Sequence, residues 1–139
     1  MKPTPYLFFR GQCRDAIAAY QRILGATPQD VMPASQMPED FPVPKDKENW
    51  VMHARLTIGD GEIMMSDDIF EETSAMAGCS VMLSYPNADE AKAIFDQLAE
   101  GGQINMAWEP TFWSAGFGTL VDRFGVKWMI GTDETPKAG

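Results

Sequence analysis

Apolar residues along this chain change their spacing at definite points, and those points divide it into strands and helices. Tyr6 to Phe9 is a continuous apolar run between Pro5 and Gly11, the pattern of a short buried strand. From Cys13 the period becomes helical: Cys13, Ile17, Tyr20 and Leu24 share a stripe widened by Ala16 and Ile23, and Gly25 supplies the stop. Residues 33–48 break every period with four prolines among charged residues, so they read as a long polar loop. Strict alternation follows, with Trp50, Met52, Ala54, Leu56 and Ile58 on one face and Val51, His53, Arg55 and Thr57 on the other. Gly59-Asp60-Gly61 turns the chain into a returning strand over Glu62–Ser66.

The pattern then repeats. Ser80–Tyr85 reads as a strand, and Asn87 caps a second helix with Glu90 at the third helical position. Ala91, Ile94, Phe95 and Leu98 form that helix's apolar stripe, and Gly101-Gly102 ends it. Residues 103–107, 116–122 and 126–130 read as closing strands. The halves can be laid on each other: Ala16 on Ala91, Ala18 on Ala93, Tyr20 on Phe95 and Ile23 on Leu98. In the last hairpins Gly61 falls on Gly125, Met64 on Trp128 and Met65 on Met129 at a smaller offset. The difference fits a first half enlarged by its proline-rich loop. The expectation is an α+β fold of two βαβββ modules, residues 1–68 and 79–133, in a single domain spanning 1–139. Curved, barrel-like mixed sheets would carry one main helix per module outside and a cleft within.

Composition narrows the function classes. A net charge of −9 argues against nucleic acid, which needs clustered Lys and Arg. No apolar run approaches the roughly 20 residues of a membrane span, and Met-Lys-Pro-Thr-Pro has no secretory pattern, so a cytoplasmic protein without a membrane partner is expected. Cys13, on a helical stripe, and Cys79, at a strand start, read as buried free thiols; Arg10 and Arg14 near Cys13 leave a reactive thiol open.

Candidate chemistry is sparse. His53 is the only histidine. If the Leu56 face packs on the helix, His53 and Arg55 point into the cleft, where an imidazole beside a cation can bind an anionic or enolate-like ligand or transfer a proton. The alternative is a structural or solvent-facing histidine. Trp108, Phe112 and Trp113 cluster around Glu109 and Pro110, either as a dimer interface or core cap or as a ligand-stacking wall. Glu109 beside them could hold a cation or act as a base. Methionines such as Met64, Met65, Met82, Met106 and Met129 suggest a soft, adaptable interior, with Met129 a candidate ligand contact. Asp67-Asp68 and Glu71-Glu72 read as a solvated loop, with a cation site as the alternative.

Several ordered segments resemble a known family. They are Tyr6-Leu7-Phe8-Phe9 with Asp15-Ala16 and Tyr20; His53-Ala54-Arg55-Leu56 with Ile58-Gly59-Asp60; Met64-Met65-Ser66-Asp67; Thr111-Phe112-Trp113; and the stretch from Asp122 to Ile130. Together they resemble PhnB-like proteins of the glyoxalase/bleomycin-resistance (vicinal oxygen chelate) superfamily. The resemblance implies paired βαβββ modules and a homodimer. Some of its members carry a 3-demethylubiquinone 3-methyltransferase label, yet this chain has no glycine-rich strand-turn-helix for such a cofactor. Catalytic superfamily members hold a divalent metal with His and Glu from the first and last strands of each half. Carried over by helix and hairpin register, those positions are Pro5, Ser80, Met65 and Met129, and a one-residue slip brings in Thr4, Tyr6, Cys79, Val81, Met64, Ser66, Trp128 and Ile130. Among these residues Cys79 alone could ligate a divalent metal, and one ligand is not a site, so no metal or cofactor is expected. The expected function is metal-independent binding of a small molecule in the cleft. The alternatives are a superfamily-type lyase, isomerase or dioxygenase using His53, Arg55 or Glu109, and a dimeric structural module.

Overall fold

A computed structural model describes residues 1–137. The chain forms two compact units, one over Met1–Ser74 and one from Ala75 on. In the first, β1 (Tyr6–Phe9) leads into α1 (Cys13–Leu24), followed by β2 (Thr27–Pro33), β3 (Val51–Ile58) and β4 (Gly61–Asp67). In the second, β5 (Val81–Tyr85), α2 (Ala88–Ala99), β6 (Gln103–Glu109), β7 (Phe117–Val121) and β8 (Lys127–Thr132) repeat that order. Each unit is thus a βαβββ module with a four-stranded sheet, ordered β1-β4-β3-β2 in one and β5-β8-β7-β6 in the other. First and last strands pair in parallel, and the other neighbours are antiparallel. Both sheets are open, so neither closes into a barrel by itself.

Each helix covers one sheet face because its apolar stripe meets the matching strand alternation. In the first unit Cys13, Ala16, Ile17 and Tyr20 of α1 are buried, as are Leu7, Ala54, Leu56, Ile63 and Met65 of the sheet. In the second, Ala91, Phe95 and Leu98 of α2 are buried together with Val81, Leu120, Trp128 and Ile130. α1 closes on Gly25, whose φ of 65° is the left-handed conformation glycine adopts freely. α2 opens on Asn87, whose side chain accepts the Glu90 N–H at 3.0 Å.

β2 has no counterpart in the sequence reading of the first half. Its sequence, Thr-Pro-Gln-Asp-Val-Met-Pro, has neither alternation nor a β-branched run. It forms because it is a sheet edge, where proline is tolerated and packing on one side suffices. The loop that follows, residues 34–50, is irregular as expected, with single 3-10 turns at Ala34–Gln36 and Lys45–Lys47. It is also pinned, since Ala34 N–H donates to Trp50 O at 2.7 Å and Ser35 N–H to Glu48 O at 3.0 Å.

The ladder rows correct the internal alignment by one residue. Thr57 pairs with Glu62 around residues 58–61, whereas Val121 pairs with Lys127 around residues 122–126. The second hairpin connection is therefore one residue longer. In equivalent rows Met65, beside Ala54, matches Ile130, beside Gly118, and Met64 matches Met129. A one-residue slip moves a strand side chain to the opposite face. Met65 accordingly lies buried on the helix side.

Candidate functional site

The faces opposite the helices hold nearly all the candidate chemistry. In the first unit a row crosses the sheet as Tyr6, Met64, Arg55 and Gln29, and beside it Phe8 pairs with Ser66. His53 lies two residues from Arg55 on the same face of β3, paired with Met32. The Tyr6 hydroxyl reaches diagonally over β4 and shares a hydrogen bond with His53 Nδ1 at 3.2 Å. Their ring centroids are 5.9 Å apart, and Phe8 stands 4.9 Å from Tyr6. Arg55 is engaged as well. Its guanidinium NH2 binds Asp30 Oδ2 at 2.5 Å, and its Nε lies 4.0 Å from Glu62 Oε2.

In the second unit the equivalent row is Met82, Met129, Thr119 and Met106. Met82 is 49% exposed and Met106 54%, so these thioethers are surface, not core. Phe117 and Gly131 form the neighbouring pair, with the Met82 methyl close over Gly131. Trp113, in the β6–β7 connection, meets Phe117 edge-on at 5.5 Å, and Phe112 meets Trp113 at 4.8 Å.

The expected trio of Trp108, Phe112 and Trp113 is therefore divided. β6 runs on to Glu109, beyond the expected end at 107, which places Trp108 inside a strand. Its ring turns to the helix side, 5.7 Å from Phe95, and fills the space that a side chain at Gly116 would need. Trp108 is thus a packing residue, whereas Trp113 stands on Phe117 and Phe112 is exposed at the loop tip. Glu109 ends β6, exposed and paired with Phe117.

Two further placements, those of Asp67 and Cys79, were not legible in the sequence. Asp67 is buried at the end of β4, not solvated: Oδ1 accepts the N–H groups of Gly11 (2.8 Å) and Cys13 (3.0 Å), and Oδ2 accepts that of Val51 (2.9 Å). One carboxylate thus ties the β1–α1 turn and the start of β3 to β4. Cys13 is buried, and its thiol is pushed well above the usual range by burial and then by the Asp67 charge, against Arg14. Such a thiol is inert, which removes the reactive option. Cys79, expected to be buried, is exposed just before β5. In the second unit burial, followed by Glu90, raises the Tyr85 hydroxyl above its ordinary value.

The corrected register decides which side chains occupy the positions that the resemblance assigns to metal ligands. On the helix-free faces of first and last strands these are Tyr6 beside Met64 and Met82 beside Met129. A phenol and three thioethers do not fit a hard or borderline divalent metal. Among the described residues no group of three or more His, Cys, Asp or Glu is placed to hold a metal ion. No helix among them is long and apolar enough to cross a membrane.

Comparison with known proteins agrees with this architecture. The family model described as 3-demethylubiquinone-9 3-methyltransferase matches residues 1–131. YjdN of Escherichia coli K12 is 38% identical over 138 residues, covering 94% of each chain. The crystal structure of PA1353 from Pseudomonas aeruginosa superposes with a TM-score of 0.87 at 39% identity, covering 96% of this chain and 98% of that one. The PhnB protein of Bacillus cereus gives 0.80 at 25% identity, covering 95% and 99%. More distantly, a glyoxylase/bleomycin resistance protein/dioxygenase domain from Frankia shares the fold alone, with a TM-score of 0.64 at 12% identity over 95% of this chain and 96% of that one. With matches spanning nearly its whole length, the chain belongs to the family described as 3-demethylubiquinone-9 3-methyltransferase, is similar to a PhnB protein, and shares the fold of a glyoxylase/bleomycin resistance protein/dioxygenase domain.

Proposed function

We propose that this protein binds a small, largely apolar molecule on the helix-free sheet faces, without help from a divalent metal. The observation that carries the reading is the row Met82, Met129, Thr119 and Met106, flanked by Phe117 and Trp113. Flexible thioethers and an aromatic edge accommodate flat or irregular apolar ligands. On the first unit's own face, Tyr6, His53 and Phe8 offer separate hydrogen-bonding and stacking partners. The protein acts in this reading as a cytoplasmic homodimer. The methyl transfer in the family description is not part of it. The β1–α1 connection, Arg10–Gln12, carries the single glycine Gly11 where nucleotide-like cofactors require a glycine-rich turn.

A second reading, a lyase- or isomerase-type activity, is favoured by one contact, the hydrogen bond between the Tyr6 hydroxyl and His53 Nδ1. That pair could pass a proton to or from a substrate carbon or oxygen, each group polarising the other.

A thermal-shift screen of the full chain against aromatic and aliphatic metabolite-sized compounds tests binding. A ligand at about 100 times its Kd stabilises by roughly 2.7 kcal/mol, which is readily seen as a rise in Tm. The Met82→Ala/Met129→Ala double variant is expected to lose the shift while remaining folded. Absence of any hit across a broad library, or stoichiometric metal in untagged protein, would overturn the reading. Sedimentation velocity on the same material checks the dimer.

A further inference from the structure

Arg55 looks, from its sequence position beside His53, like a receptor for an anion; its surroundings indicate the opposite. β2 carries a register irregularity between Gln29 and Met32. Inside it Asp30 adopts a φ of 54°, and among the described residues no other non-glycine has a positive φ. Asp is one of the few side chains that tolerates this left-handed backbone, and a bulge re-aims the side chain it contains. Here the carboxylate is brought onto the Arg55 guanidinium at 2.5 Å. Glu62, next along the same face, stands 4.0 Å from Arg55 Nε. Two carboxylates therefore surround one guanidinium. Arg55 Nε is itself buried and without a hydrogen-bond partner and the adjoining Nη2 is held by Asp30, so the Nε–Nη2 edge is not open to a bidentate anion. Of the other polar groups on this face, the Tyr6 hydroxyl and His53 are engaged with each other, and Gln29 donates to the Thr57 hydroxyl.

Building on the binding function proposed above, we infer that the first unit's face selects an uncharged or cationic aromatic ligand and rejects an anionic one. The residue that sets this choice is Asp30. Its carboxylate masks Arg55, and with Glu62 it leaves an excess of negative charge around an aromatic floor of Tyr6 and Phe8. A flat cation gains from both the ring faces and the carboxylates. A carboxylate or phosphonate must displace Asp30 before it reaches the guanidinium.

Isothermal titration calorimetry of the full chain with three probes of matched shape decides the matter. The probes are N-methylquinolinium (cation), quinoline (neutral at pH 7.5) and 1-naphthoate (anion). In the wild-type protein the first two bind at least about ten-fold more tightly than 1-naphthoate, a difference of about 1.4 kcal/mol. Asp30→Asn keeps a side chain suited to the left-handed backbone while removing the charge, and circular dichroism checks that it folds. In this variant 1-naphthoate gains about ten-fold and the cation weakens several-fold. Adding Arg55→Gln to Asp30→Asn cancels the naphthoate gain, which identifies the unmasked guanidinium as its source. Tighter binding of 1-naphthoate to the wild type, or an unchanged ranking in Asp30→Asn, overturns the inference while leaving small-molecule binding in place. Failure of all three probes to bind also overturns it, and the broad screen then still decides whether the chain binds anything.

Discussion

The two units share a fold, and within the paired strands the chief difference between them lies on one face of each sheet. On the helix side equivalent positions hold equivalent chemistry: Leu7 and Leu83, Leu56 and Leu120, Ile63 and Trp128, Met65 and Ile130. Only volume varies, and it varies in compensation. Where the first unit has Ala54, the second has Gly118, which leaves room for the Phe95 ring. On the other side Tyr6 corresponds to Met82, Phe8 to Ser84, Arg55 to Thr119 and Ser66 to Gly131. One face is polar and carries an ion pair and a tyrosine–histidine contact; its counterpart is soft and sulfur-rich. The helix side answers to packing, which accepts any apolar set of the right size. The far side is free of that demand and has taken on two separate chemistries.

Mutations at equivalent positions can break or sharpen this comparison. The largest effect is expected at Asp67, because Ala there strands three backbone N–H groups, two of them buried. Chemical denaturation should show a loss of about 3–5 kcal/mol. Thr132, its positional equivalent, donates one hydrogen bond to Tyr85 O and accepts one from Glu134 N–H. Thr132→Ala should cost only about 1–2 kcal/mol. Equal losses at the two sites would mean that Asp67 is no special anchor.

Next comes Gly118→Ala, whose methyl would lie 2.6 Å from a Phe95 ring carbon. Overpacking should cost about 1–3 kcal/mol in thermal unfolding. A neutral result would show that the volume compensation with Ala54 is slack. The smallest effect concerns the helix starts. Asn87→Ala removes a cap and should cost about 1 kcal/mol. Gln12→Ala should change almost nothing, because Gln12 makes no capping bond and Asp67 already accepts the Cys13 N–H.

Strong periodicity made much of the fold legible. α1 ends at the glycine expected to stop it, and Asn87 caps α2 as its spacing implied. β3 shows the expected alternation over Ala54 and Leu56, with His53 and Arg55 on the other face. What escaped the sequence depended on tertiary partners. β2 has no pattern of its own and exists because β3 offers a ladder. Trp108 could not be told from Phe112 and Trp113 until the length of β6 fixed which face it occupies. Asp67 looked solvated beside Asp68, since nothing local announces that Gly11, Cys13 and Val51 would bring their amides to it. The pairing of Asp30 with Arg55 rests on a bulge that no spacing rule encodes.

The extra residue in the second hairpin has a practical consequence for protein engineering. Inserting a residue into a turn acts on a strand as a frameshift acts on a reading frame, exchanging inner for outer at every position until something absorbs it. A designer wishing to install a histidine–glutamate centre on the first unit should therefore build it at Tyr6 and Met64, which are ladder partners. The same graft aimed at Pro5 and Met65, where the separate helix and hairpin offsets of the two halves point, would drive a carboxylate at Met65 into the core beneath α1.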